Sequence, residues 1–214
     1  MPTISLTGDY YCGESRDQEE FSVINDYLKD SQINVVNFEG SLHSNTITPK
    51  AVNLAMDEDA LSFPNSTILS LSNNHILDFG AQGLQKTLKA IAQKDLSWFG
   101  LESKLFQGDN YKIIQCGDVN VCFVGFGWKN EECTPANKDH WGVSDYSQQS
   151  IERTFNRLQY EKYDYLIVYC HAGYEYEYYP LPLHVGLSRY LIDKGADFVY
   201  GSHTHCIQPY EIYK

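Results

Sequence analysis

Short apolar runs of strand length recur along the chain, at residues 3–7, 33–38, 67–72, 111–116, 119–126, 165–170 and 197–201. Between several of them, apolar residues fall at three- and four-residue spacing, the mark of one helical face. Phe21, Ile24 and Leu28 form one such set, with Ser15 and Gln18 spaced for a capping box at its start. Leu84, Leu88 and Ile91 follow Gly80 as a second, and Ile151, Phe155 and Leu158 make a third. Leu187, Tyr190 and Leu191 mark a fourth, which Gly195 stops. Gly117-Asp118, flanked by two apolar runs, predicts a tight hairpin. Strands alternating with helices around a central hairpin predict α/β layers and a mixed sheet. Residues 129–149 are rich in Asn, Glu, Asp, Ser and Thr and read as a long surface loop, the kind of segment that rims sites. The run YEYEYY at 174–179 reads either as a ligand-facing aromatic wall or as a partly buried packing surface.

Length changes this picture only by bounding it. The 214 residues are read as one domain, 1–214, large enough to bury a core without disulfide or metal staples. A hydrophobic share of 43% with 21% charged residues excludes a disordered chain. The net charge of −12 disfavours nucleic acid as a partner. An anionic substrate stays compatible, because bound cations reverse the field locally. No run approaches the length of a membrane span, and MPTISLTGDYY lacks the basic start and apolar run of a secretory signal, so a cytoplasmic location is expected. The six cysteines form no C-x-x-C pair and read as free thiols, most of them buried, with no demand for an oxidising compartment.

Candidate chemistry gathers where the strands end. The first run leads into Gly8-Asp9, the second into Asn37-Phe38-Glu39-Gly40, and the third into Asn73-Asn74-His75 with Asp78 three residues on. A later run ends in His171 and the last in His203-Thr204-His205. Read alone, Asp9 is a turn residue, Asn73 and Asn74 are helix caps, and His171 is a hydrogen-bonded core histidine. His203 and His205 are stronger, because alternate strand residues face one side. Ligands of open α/β sheets bind beyond the carboxyl ends of the strands, and five such ends here carry donor residues. Imidazole together with carboxylate suits Mn, Fe, Zn or Ni better than Ca or Mg. His43, His140 and His184 lack such partners and read as surface residues, with His43 and His140 available as substrate contacts.

At these same positions the chain resembles the capsule-synthesis (CapA, poly-γ-glutamate capsule) branch of the calcineurin-like metallophosphoesterases. The matching pieces are GD at 8–9, NFEG at 37–40, SNNHILDFGAQGL at 72–84, HAGYEY at 171–176 and GADFVYGSHTHCIQPYE at 195–211. The resemblance implies a four-layer αββα sandwich of metallophosphoesterase type, with mixed sheets and two divalent transition-metal ions (Mn, Fe or Zn) at one edge. It gives Asp9 and His205 to one metal and Asn74, His171 and His203 to the other, with Glu39 bridging. His75 would face the substrate as a catalytic residue, Asp78 would orient it, and Gln208 and Glu211 would support the site.

The chain also departs from the pattern. Tyr11 stands where the wider superfamily has a metal-binding histidine, Glu39 where it has Asp, and Ala172 where the family has Trp. The family's further strand, with its Ser-Leu-Gly-Asn-Phe signature, would fall beyond Lys214, and the N-terminal membrane anchor of many relatives is not seen. The resemblance implies a phosphoesterase of capsule, surface-polysaccharide or poly-γ-glutamate metabolism, acting on an anionic small molecule or polymer and working with capsule-synthesis proteins. Two other readings are amide or ester hydrolysis of a capsule polymer, and a non-catalytic metal-binding partner of a capsule-synthesis complex.

Overall fold

The computed structural model describes residues 3–13, 18–103 and 110–214. In chain order the elements begin with β1 (Ile4–Tyr10), α1 (Gln18–Leu28), β2 (Ile33–Phe38), β3 (Ser41–Leu42) and β4 (Ala55–Met56). Then come β5 (Thr67–Ser70), α2 (Gly80–Gln93), β6 (Ser97–Phe99), β7 (Leu101–Glu102), β8 (Tyr111–Cys116) and β9 (Val119–Gly127). The last are β10 (Gly142–Val143), α3 (Gln148–Leu158), β11 (Tyr165–His171), α4 (Pro182–Asp193) and β12 (Phe198–Ser202).

Two four-stranded sheets carry the architecture. The first has the order β1-β2-β5-β6, and its paired strands run parallel. The second has the order β12-β11-β9-β8, parallel except for the β8–β9 hairpin turned by Gly117 and Asp118. Side chains alternate across each strand, so one sequence feeds two cores. Ile33, Val35, Ile68 and Phe99 of the first sheet meet Val121, Phe123, Ile167 and Tyr169 of the second between the sheets. The opposite faces of the first sheet, Val36, Phe38 and Leu69, pack under Leu28, Leu84 and Ile91 of α1 and α2. Val124, Leu166 and Val168 of the second pack under Ile151, Leu158, Leu187 and Leu191 of α3 and α4. The layers therefore run helix, sheet, sheet, helix, the expected αββα sandwich. Each fully buried Leu, Ile, Val or Phe contributes roughly 1.5–3 kcal/mol to holding them together.

The differences from the sequence reading are local. β1 runs on to Tyr10, and β5 stops at Ser70. The strands β3, β4, β6, β7 and β10 were not expected, because two or three residues are too few to show a period. Ser15 of the expected capping box lies outside the described residues. Residues 129–149 hold a 3-10 turn at Lys129–Glu131 and the short β10 rather than being wholly irregular. All six cysteines are free, four of them buried. His184, read as a surface residue, is buried: its ring stands edge-on to Trp128 at 4.4 Å between centroids and lies 5.5 Å from Tyr146. Among the described residues, no helix is long and apolar enough to cross a membrane.

Candidate metal centre

The carboxyl ends of β1, β2, β5, β11 and β12 meet at one edge of the sandwich, where both sheets contribute. β2 continues its inward-facing phase past Val35 to Asn37 and then to Glu39, both buried. β11 continues Ile167 and Tyr169 to His171 in the same way. β1 reaches the site by a different device. Leu6 lies opposite Val35 and Asp9 opposite Asn37, so three steps on β1 match two on β2. This bulge turns Asp9 to the inward face, where regular pairing would have aimed it at the helices.

The candidates converge. His171 Nε2 lies 2.8 Å from Asn74 Oδ1 and 3.6 Å from Glu39 Oε1, and its Nδ1 is 3.7 Å from Asp9 Oδ1. The ring centroids of His171 and His203 are 4.7 Å apart. His205 Nδ1 is 3.5 Å from Asp9 Oδ2, which also accepts the His203 backbone N–H at 2.8 Å. Glu39, His171 and His203 offer donor atoms within 4.8 Å of one another, and so do Asp9, Glu39 and His205, with Glu39 common to both groups. His203 and His205 do not share a strand face as expected. β12 ends at Ser202, and both histidines lie past it with positive φ, +92° and +51°.

Electrostatically the cluster is short of positive charge. Burial first, then repulsion from Asp9 and Glu175, pushes the Glu39 carboxyl up to about 9. Burial holds the imidazole of His203 down at about 4 and that of His171 well below its usual range. Buried carboxylates facing neutral imidazoles need a proton or a metal ion for balance. Both ring nitrogens of His203, a residue only 1% exposed, lack a hydrogen-bond partner. Such orphaned donors, the Oδ1 of Asn74 and two nearby carboxylates form a set that fits a divalent transition metal.

His75 stands beside this set. Its Nδ1 is 2.6 Å from Asp78 Oδ2, and its Nε2 is 4.0 Å from Glu39 Oε1. Asp78 is fully buried, accepts the Leu54 N–H at 2.8 Å, and pairs with Lys50 Nζ at 2.8 Å. Lys50 also donates to the Asn74 carbonyl at 2.7 Å. Lys50 carries no motif signal, being a loop residue whose role appears only in three dimensions. Asn37 was likewise missed. Its Nδ2 lies 2.6 Å from Asp9 Oδ1 and 3.2 Å from His171 Nδ1, and its Oδ1 accepts from Asn73 Nδ2 at 3.2 Å. Its place two residues before Glu39 in an alternating strand was the available signal.

Gln208 donates to the Glu177 carbonyl, and Glu211 pairs with Arg189 on α4 at 2.7 and 3.0 Å, while both line the groove that also holds Asp9, His203 and His205. Tyr11 is 47% exposed, and the tyrosines at 174, 176, 178 and 179 are exposed, though the Tyr174 ring lies 5.5 Å from Trp128 and that of Tyr176 6.1 Å from His205. A groove of about 1030 Å³ runs from Asp9, His203 and His205 toward α4 and the segment 206–214.

Known proteins share parts of this sequence and this fold. The chain is 27% identical over 205 residues to the capsule biosynthesis protein CapA of Bacillus anthracis, covering 91% of this chain and 50% of that one. It is 30% identical over 152 residues to the PGA biosynthesis protein CapA of Bacillus subtilis, covering 70% and 39%. The chain thus spans half or less of the length of these curated relatives. Its fold is similar to that of a 5'-nucleotidase precursor from Thermus thermophilus, with a TM-score of 0.55, 18% identity, and coverage of 85% of this chain and 34% of that one. Residues 3–214 match the family described as bacterial capsule synthesis protein PGA_cap, and the chain, an αββα sandwich, belongs to that family.

Proposed function

We propose that the edge cluster holds two divalent transition-metal ions and that the chain is a metal-dependent phosphoesterase of capsule or poly-γ-glutamate metabolism. One observation carries the reading: Asp9, Glu39, Asn74, His171, His203 and His205, drawn from both sheets, face one another beside a histidine fixed by a buried carboxylate. Asp9 and His205 would hold one ion, Asn74, His171 and His203 the other, and Glu39 both. Bound Mn, Fe or Zn supplies Lewis-acid polarisation of phosphoryl oxygens and lowers the pKa of attacking water.

The chain's own residues do the rest. Asn37 ties Asp9 to His171 and so holds the two halves of the donor set in register. Asp78 takes the Nδ1 side of His75 and leaves Nε2 toward the cluster, where it can protonate a departing alkoxide as general acid. Lys50 holds Asp78 in place. We read residues 1–214 as one such domain, cytoplasmic, acting on an anionic small molecule or polymer, with capsule-synthesis proteins as partners.

The test is metal content by plasma mass spectrometry after loading with Mn²⁺, Fe²⁺ or Zn²⁺, followed by hydrolysis of phosphomonoesters and diesters. About two ions per chain with phosphate release is the expected result. Occupancy near zero in every metal overturns the metal reading. Full occupancy without hydrolysis of any phosphate ester overturns the phosphoesterase reading in favour of a binding role.

A further inference from the structure

Two acidic residues outside the donor set face its histidines from separate loops. His205 lies between two carboxylates: Nδ1 is 3.5 Å from Asp9 Oδ2, and Nε2, across the ring, is 3.8 Å from Glu175 Oε1. His203 Nε2 is 3.6 Å from Glu131 Oε2. Neither Glu131 nor Glu175 belongs to the two groups whose donor atoms lie within 4.8 Å of one another. We propose that Glu175 and Glu131 are positioning residues, outer carboxylates that orient the imidazoles of His205 and His203 toward the centre. The proposal rests on the metal reading above.

Three observations support it. First, the backbone alone does not aim these rings. Both histidines lie beyond β12 with φ of +92° and +51°, where side-chain direction is not set by strand alternation. Second, each glutamate sits on a loop tied to the site. The Tyr176 N–H donates to the Thr204 carbonyl at 2.8 Å, between the two histidines, which locks the segment carrying Glu175 onto theirs. The Trp128 N–H donates to the His171 carbonyl at 3.0 Å, just before the 3-10 turn that ends in Glu131. Third, His203 is buried with both ring nitrogens unpartnered. A buried imidazole in a metal site needs an ion on one nitrogen and an acceptor for the N–H of the other. The present separations of 3.6 and 3.8 Å exceed a hydrogen bond, and the half-exposed Glu175 has room to close its gap by rotation. A carboxylate on the outer N–H fixes the tautomer and raises the basicity of the inner nitrogen.

The test uses E175A, E175Q, E131A and E131Q in the full chain, with two readouts. One is Zn²⁺ affinity by competition with a chromophoric chelator. The other is exchange protection of the His203 and His205 ring N–H protons in protein labelled with ¹⁵N-histidine, recorded without metal and after Zn²⁺ loading. Each alanine variant should weaken Zn²⁺ binding by about 10–100-fold and lose protection of its own histidine's ring proton. Each glutamine variant, whose amide oxygen still accepts the N–H, should keep the protected proton and most of the affinity. Alanine variants with wild-type affinity and protection overturn the proposal. So do glutamine variants that lose as much affinity as alanine, an outcome that would make the glutamates direct ligands. A wild-type chain that takes up no Zn²⁺ defeats the metal reading separately, and the ring-proton comparison in metal-free protein still decides the role of each glutamate.

Discussion

At the scale of single residues, the site separates side chains that face the centre from those that hold them. His171 and His75 both follow strands, yet their surroundings differ: His171 touches Asn74 and faces Asp9 and Glu39, whereas His75 is tied to Asp78. His171→Ala should therefore lose metal and activity together. His75→Ala should keep most of the metal and lose kcat/KM by roughly 10²–10⁴-fold on alkyl phosphates, with a smaller loss on nitrophenyl esters, whose leaving group needs little protonation. Metal content and kinetics on both ester types decide it: stripping of metal, or equal loss on both esters, refutes the general-acid role. Lys50→Met leaves the fully buried Asp78 carboxylate without its cation and the Asn74 carbonyl without its donor. Removing one partner of a buried pair costs about 3–5 kcal/mol, readable as a lowered urea midpoint. The direct candidates, Asp9, Glu39, Asn74, His75 and the three histidines of the second sheet, were legible because donor residues at successive strand ends are chemically unusual. Lys50 and Asn37 were not, since a residue that holds another carries no chemistry of its own in the sequence.

At the scale of elements, hydrophobic periodicity found the seven longer strands and four helices because each has one apolar face to bury. It could not find the bulge in β1, which depends on pairing with β2 rather than on composition. Nor could it see that the chain leaves β12 before His203. Glycines show where backbone geometry rules. A Cβ at Gly125 of β9 would stand 2.7 Å from Gly100 Cα and 2.8 Å from Ser72 Cβ, where the sheets approach closely beneath the site. Gly195, after α4, has φ +113° and open space around its Cβ position. Gly125→Ala should cost about 3 kcal/mol through overpacking against backbone, and Gly195→Ala about 1 kcal/mol through conformation alone. Denaturant unfolding of both variants should preserve that order; the reverse would mean that the sheets part easily there. The start of α4 adds a pH effect. Burial of His184 against Trp128 and Tyr146 lowers its pKa below the unfolded value of about 6.5. The unfolded chain then binds more protons, so the stabilisation is full above pH 6.5 and is lost as pH falls below it. His184→Phe should flatten the stability profile below about pH 6.5, and an unchanged profile would assign the acid sensitivity elsewhere.

At the scale of the whole molecule, the proposed donor set would, with ions bound, act as a clasp between layers. Asp9, Glu39 and Asn74 come from the first sheet and its connections, and His171, His203 and His205 from the second. An unfolded chain separates these residues by as many as 196 positions, so it offers no comparable site, and bound ions should favour only the docked sandwich. The acidic chain, at −12, adds to this, since cations relieve repulsion among the carboxylates at the shared edge. A ligand at one hundred times its Kd stabilises by about 2.7 kcal/mol. For a chain of this size, each kcal/mol raises Tm by about 2–4 °C. Mn²⁺ or Zn²⁺ in such excess should therefore raise Tm by roughly 5–11 °C over chelator-treated protein, as one cooperative transition in which both sheets unfold together. Glu39→Gln, which weakens the carboxylate common to both donor groups, should abolish most of that rise while leaving the metal-free protein folded. A Tm that ignores metal, or a rise undiminished in Glu39→Gln, would show that the clasp does not join the two sheets.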